Sequence, residues 1–131
     1  ETGIIYFESA KTFDYHGDEK KKKDSIHPEH ANWVALGDVG YMNEEGYLFL
    51  TDRATFMIVS GGVNIYPQEI ENALIMHPKV EDVAVIGVPN DEFGEEVKAI
   101  VQPIAGISHD DELARELIMY ARETIAHYKC P

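Results

Sequence analysis

Between positions 38 and 62 the sequence places a carboxylate, Asp38, an arginine, Arg53, and a glycine pair, Gly61-Gly62. An aspartate can accept both hydroxyl hydrogens of a vicinal diol through its two oxygens, and a guanidinium fork can grip the same sugar or a phosphate beside it. Together they point to a nucleotide ribose. Each also has a plainer reading. Asp38, between Gly37 and Gly40, suits a turn. Arg53 can pair with Asp52 as a surface ion bridge worth less than about 1 kcal/mol. Gly61-Gly62 can be a bare turn between Ile58-Val59 and Val63-Asn64-Ile65.

The elements that must hold these residues follow from apolar spacing. Ile4-Ile5-Tyr6-Phe7, Trp33-Val34-Ala35-Leu36 and Tyr47-Leu48-Phe49-Leu50 read as strands, and the glycine of Asn43-Glu44-Glu45-Gly46 predicts a hairpin pairing Gly40-Tyr41-Met42 with Tyr47 to Leu50. The polar insert from His16 to Asn32 contains Lys20-Lys21-Lys22-Lys23. Its neighbours Asp18, Glu19 and Asp24 cancel much of that charge, which favours a solvated loop over a phosphate-binding patch.

From Pro67 the period becomes helical. Ile70, Ala73, Leu74 and His77 share a face, Pro67 suits a first turn, Gln68, Glu69 and Glu71 suit the positive end, and His77-Pro78 stops the run. His77 itself has no evident partner acid. Val80 with Val83 to Val88, and then Val97 to Val101, are β-branched runs expected as strands covered on both faces. A last helix is expected to start at Ser108, capping the N–H of Asp111, with Leu113, Leu117, Tyr120, Ala121 and Thr124 on one face, widened by Ile118 and Ile125. The fold class is therefore α+β: a β-rich lead-in, then a small domain with a short sheet packed by helices.

The chain has 131 residues, of which 44% are hydrophobic, enough for one core or for a domain with a flanking piece. Lys and Arg number 11 against 24 Asp and Glu, and the net charge of −13 disfavours nucleic acid and anionic lipid as partners. No apolar run reaches the roughly 18 residues of a membrane span. A lone Cys130 fits a reducing cytoplasm, and nothing near it would stabilise a thiolate. Opening on Glu1 rather than Met, the sequence is expected to be a piece of a longer chain.

Gly37-Asp38-Val39-Gly40, Glu45-Gly46-Tyr47-Leu48, Asp52-Arg53 and the run from Gly61 to Glu71 resemble the adenylate-forming superfamily of acyl-CoA synthetases, luciferases and peptide-synthetase adenylation domains, and most of all its fatty or aromatic acyl-CoA ligases. The resemblance implies that residues 1–52 end a large N-terminal, AMP-binding domain and that 53–131 form most of a mobile C-terminal one. It implies a parent enzyme that joins a carboxylic acid to ATP and passes the acyl group to CoA, with Mg2+ accompanying ATP on ligands outside these residues. Asp38 and Arg53 would bind the ribose of ATP and of the acyl adenylate. Thr55 would be the hinge, where the family often carries aspartate or lysine, and Leu36 stands where the family usually has threonine before Gly-Asp. Gly61 and Gly62 would approach the pantetheine channel. Lys129 is not the family's late catalytic lysine, which is expected beyond Pro131, so these residues alone are expected to be inactive. Gly94-Glu95 also resembles a family loop, with no catalytic role assigned. Other readings are an adenylation domain serving a carrier protein, a luciferase-like oxygenase, or a non-catalytic acidic interaction module.

Overall fold

The structure is a computed structural model that describes residues 2–9 and 16–131. It divides into two compact units, Glu1–Thr55 and Phe56–Pro131.

The first unit is a three-stranded antiparallel sheet ordered β1 (Gly3–Glu8), β2 (Trp33–Met42), β3 (Leu48–Arg53). Val34, Ala35, Val39 and Gly40 of β2 are its buried residues. The expected hairpin is present: Gly40 faces Leu50, Tyr41 faces Phe49 and Met42 faces Leu48. Asn43 closes it, its carbonyl Oδ1 accepting from the Tyr47 N–H at 2.8 Å, while Gly46 takes φ +84°, a conformation that favours glycine. The insert differs from the expected loop. Glu19–Asp24 form a short helix, α1, capped by the Asp18 carboxylate, which accepts from the Lys21 N–H at 2.9 Å. A lysine run is compatible with helix, and one N-terminal acid supplies the cap that its first turn needs.

The second unit is a four-stranded antiparallel sheet ordered β5 (Val63–Ile65), β4 (Ile58–Ser60), β7 (Gly94–Pro103), β6 (Val80–Asn90), with helices α2 (Pro67–Leu74) and α3 (Asp111–Thr124). Ile58, Ile65, Ile70, Leu74, Val80, Val85, Leu113, Leu117 and Ala121 form one core. Fully burying such an aliphatic side chain stabilises by about 1.5–3 kcal/mol, so this cluster holds sheet and helices together. The expectation that β6 and β7 are covered on both faces does not hold within the unit. Val97, Ala99 and Val101 turn inward, whereas Ile86 is 43% and Ile100 55% exposed. The reason is topological: the two strands pair antiparallel, Val85 opposite Ala99, and present one face to the helices.

The start of α3 also differs from expectation. Its cap is Asp110, which accepts from the N–H groups of Glu112 and Leu113, rather than Ser108. The Leu113 N–H, the Ser108 hydroxyl and the Glu112 N–H hold the Asp110 carboxyl below its ordinary value. Among the described residues no helix is long and apolar enough to cross a membrane.

A carboxyl whose value is depressed by folding stabilises the fold above its unfolded value and loses that contribution as pH falls through the folded one. Asp110→Ala is therefore expected to lower the melting temperature at pH 7. The gap to the parent should narrow as pH falls below the ordinary carboxylate range, as followed by circular dichroism. A gap that stays constant as pH falls through and below that range would contradict the capping account.

Candidate nucleotide site

Asp38 and Arg53 come together through strand register. On the hairpin side of Gly40 the pairing is regular, but past it Val39 faces Asp52 and Asp38 faces Arg53, so Thr51 is an extra residue, a β-bulge in β3. Were the ladder regular, Asp38 would face Asp52, and like charges directly opposite destabilise a sheet. The bulge instead brings Arg53 Nη1 to 3.1 Å from Asp38 Oδ1. Asp38 is 24% and Arg53 55% exposed, so the pair is reachable from solvent and contributes no more than a surface bridge to stability. The arrangement can thus offer a diol a carboxylate acceptor beside a fixed cationic fork. Asp52 turns back on the chain, its Oδ1 accepting from the Arg53 N–H at 2.6 Å.

Gly40 keeps the bulge tight. A Cβ there would run into the Phe49 carbonyl oxygen and lie 2.9 Å from Ile5 Cδ1. Thr55 is exposed in the 3-10 turn Ala54–Phe56 and is the last residue of the first unit.

Gly61 and Gly62 lie in the second unit as the two-residue turn between β4 and β5, with Ser60 opposite Val63. Their φ values of +56° and +80° are those of a turn with both central residues left-handed. The Gly61 N–H donates to the Phe93 carbonyl at 2.9 Å, and a Cβ on Gly61 would touch the Phe93 ring at 3.4 Å. A Cβ on Gly62 would meet nothing within 4 Å.

Several polar residues have structural partners that the sequence did not disclose. Glu95, inside the inward row of β7, accepts from the Val59 N–H at 2.7 Å. Glu71 accepts from the Val85 N–H at 2.9 Å, joining α2 to β6. Lys129 donates twice to Glu69, at 2.8 and 2.7 Å, fastening the turn His127–Lys129 to the start of α2. His77 does have an acid. It is buried, its Nδ1 accepts from the Lys79 N–H at 3.3 Å, and its Nε2 lies 3.5 Å from Glu116 Oε1, which corrects the expectation of none. Glu116 lies a whole hairpin away in sequence, and Tyr120 packs edge-on against the ring. The pairs involving Glu69 and Glu116 therefore bind elements to one another. Burial pushes the Cys130 thiol up, only partly opposed by Arg122. That is the opposite of an activated nucleophile. Among the described residues, no group of three or more His, Cys, Asp and Glu could hold a metal ion.

The profile of the AMP-binding enzyme C-terminal domain matches residues 69–131. A long-chain-fatty-acid–CoA ligase from Bacillus subtilis is 44% identical over 99 residues, covering 76% of this chain and 17% of that protein. The solved o-succinylbenzoate CoA synthetase from Bacillus subtilis, in complex with its acyl-adenylate intermediate, aligns with 100% of this chain and 26% of its own, at 33% identity and TM-score 0.78. An amide bond synthetase from Marinactinospora thermotolerans aligns with the same shares at 30% identity and TM-score 0.81. The chain thus spans about a quarter or less of the proteins it matches.

Gly40→Ala is expected to destabilise the first unit by about 1–3 kcal/mol, because backbone must move to admit the methyl group. Urea denaturation of the 131-residue chain, followed through its single tryptophan, Trp33 of β2, checks this. An unchanged midpoint would mean that the β2–β3 approach is looser than described.

Proposed function

Since this chain belongs to the adenylate-forming enzymes, as a part of their C-terminal portion, we propose that its parent activates a carboxylic acid with ATP to an acyl adenylate and transfers the acyl group to CoA. In this reading Asp38 and Arg53 hold the ribose, and the observation that carries it is their bulge-set pairing at 3.1 Å. The donor set fits a diol: the Asp38 carboxylate accepts from sugar hydroxyls, and the Arg53 fork has further N–H groups for the ring or a phosphate. ATP supplies the leaving pyrophosphate, whose charge Mg2+ would neutralise when held by ligands outside these 131 residues. What these residues do is orient the sugar, and with it the α-phosphate that the substrate carboxylate attacks.

Residues 1–52 are read as the end of the large N-terminal domain and 53–131 as the mobile C-terminal one, with Thr55 as the hinge. Rotation about Thr55 would bring the Gly61-Gly62 turn to the pantetheine arm, where two residues without Cβ leave room for a thiol chain. The acid, ATP, CoA and the large domain are the partners, and the cytoplasm the setting. These 131 residues alone are read as inactive, since they contain no Ser/Thr/Gly-rich phosphate loop. The similarity to an amide bond synthetase favours one second reading, in which an amine replaces CoA as the acyl acceptor. The adenylation step is common to both.

Two variants of the full-length parent separate these statements. Asp38→Ala removes charge-assisted hydrogen bonds worth about 1.5–3 kcal/mol each, so adenylation at limiting ATP is expected to fall at least about tenfold. An unchanged rate would refute the ribose role. Gly61→Leu is expected to leave acyl-AMP formation nearly intact and to slow its consumption on adding CoA, measured in single turnover. Because φ at Gly61 is +56°, Gly61→Asn, which tolerates that conformation, serves as control. Equal losses in both half-reactions for the leucine variant would make Gly61 a folding glycine only.

A further inference from the structure

The Gly61-Gly62 turn is tied to the neighbouring hairpin through the Gly61 N–H, which donates to the Phe93 carbonyl at 2.9 Å. Phe93 lies in the turn that joins β6 to β7, and Asn90, the last residue of β6, organises that turn. Its Oδ1 accepts from the Glu92 N–H at 2.9 Å and from the Phe93 N–H at 3.0 Å, and its Nδ2 donates to Glu96 Oε2 at 2.7 Å. A side chain that closes an Asx turn in this way fixes the peptide planes that follow it. With the Phe93 N–H held and Gly94 at φ +81°, the carbonyl between them faces the Gly61 N–H. The ladder pairs β4 with β7 at Ser60 and Gly94, so the two turns lie side by side. A turn of two glycines needs an anchor of this kind, because glycine has more backbone freedom than any other residue and loses more on being fixed.

We propose that Asn90 is a positioning residue for acyl transfer, holding the Gly61-Gly62 turn, through the Phe93 carbonyl, in the conformation that receives the thiol arm. The proposal rests on the reading that this turn approaches the pantetheine chain of CoA. In the step it serves, the thiol sulfur bonds the acyl carbon, the bond from that carbon to the adenylate phosphate oxygen breaks, AMP leaves, and the thiol proton is released to solvent. Asn90 acts through Phe93 and Gly61, and adenylation, in which the glycine turn takes no part, does not depend on it.

Two measurements test this. In the 131-residue chain, amide exchange followed by NMR should show the Gly61 N–H exchanging at least about tenfold faster in Asn90→Ala, while the Val59 N–H, held by Glu95, keeps its rate. An unchanged Gly61 rate, or an equal rise at both amides, overturns the proposal. In the full-length parent, single-turnover kinetics should show Asn90→Ala slowing the consumption of acyl-AMP on adding CoA about five- to tenfold, and changing its formation less than about twofold. Asn90→Asp combined with Glu96→Gln keeps the acceptor without setting two carboxylates together, and should restore both the Gly61 exchange rate and acyl transfer. Unchanged transfer in Asn90→Ala, equal losses in both half-reactions, or no restoration by the paired variant overturns the role of Asn90. If Gly61→Leu still slows transfer selectively, the pantetheine reading survives that outcome. If Gly61→Leu slows both half-reactions alike, the pantetheine reading fails, and the role of Asn90 in acyl transfer fails with it.

Discussion

One extra residue in β3 decides which charges meet in the first unit. With Thr51 left out of the ladder, the strand beyond it advances by one position, and Arg53 rather than Asp52 comes opposite Asp38. A regular ladder would set two carboxylates face to face and point the arginine elsewhere. The bulge is made possible by Gly40, against which the Phe49 carbonyl packs too closely for any side chain. The candidate site thus depends on backbone accounting: a glycine on one strand, an unpaired threonine on the other, and a register that follows from both.

The second unit uses side chains where its ladder falls short. β4 meets β7 only at Ser60 and Gly94, and the Val59 N–H finds its acceptor in the Glu95 carboxylate. Likewise the Val85 N–H is satisfied by Glu71 from α2. The donor on Val85, a buried residue, needs such a partner, and each carboxylate ties one element to another in a way that plain apolar packing does not specify. Lys129 with Glu69, and Lys79 and His77 with Glu116, extend the same practice to the ends of α2 and α3.

Local signals in the sequence reached most of the architecture. Gly46 announces the hairpin, Pro67 the start of α2, and the spacing of Leu113, Leu117 and Ala121 the buried stripe of α3. Three things were not legible. The Lys-rich segment looked like a loop because its helix has no apolar stripe, only a cap at Asp18. The one-sided facing of β6 and β7 is hidden because their runs of Val, Ile and Ala show no clear alternation, although burial alternates along β7. The meeting of Asp38 with Arg53 was expected from residue type and family resemblance, but the bulge that produces it leaves no mark in composition or spacing. Glu95 leaves a legible signal: a carboxylate in step with Val97, Ala99 and Val101 on an inward row asks for a donor.

Gly87 has a consequence of an evolutionary kind. A Cβ at that position would lie 2.9 Å from the Glu95 carboxylate and 3.2 Å from Ile58, so the glycine reserves the space through which Glu95 reaches the Val59 N–H. The tolerance of one position is therefore conditional on the other. Alanine at 87 displaces a carboxylate that is already committed, whereas in a background where residue 95 is small and uncharged the same alanine has only the Ile58 side chain, 3.2 Å away, to accommodate. Substitutions at the two sites are therefore expected to act non-additively, the methyl group being better accommodated once the acid is gone.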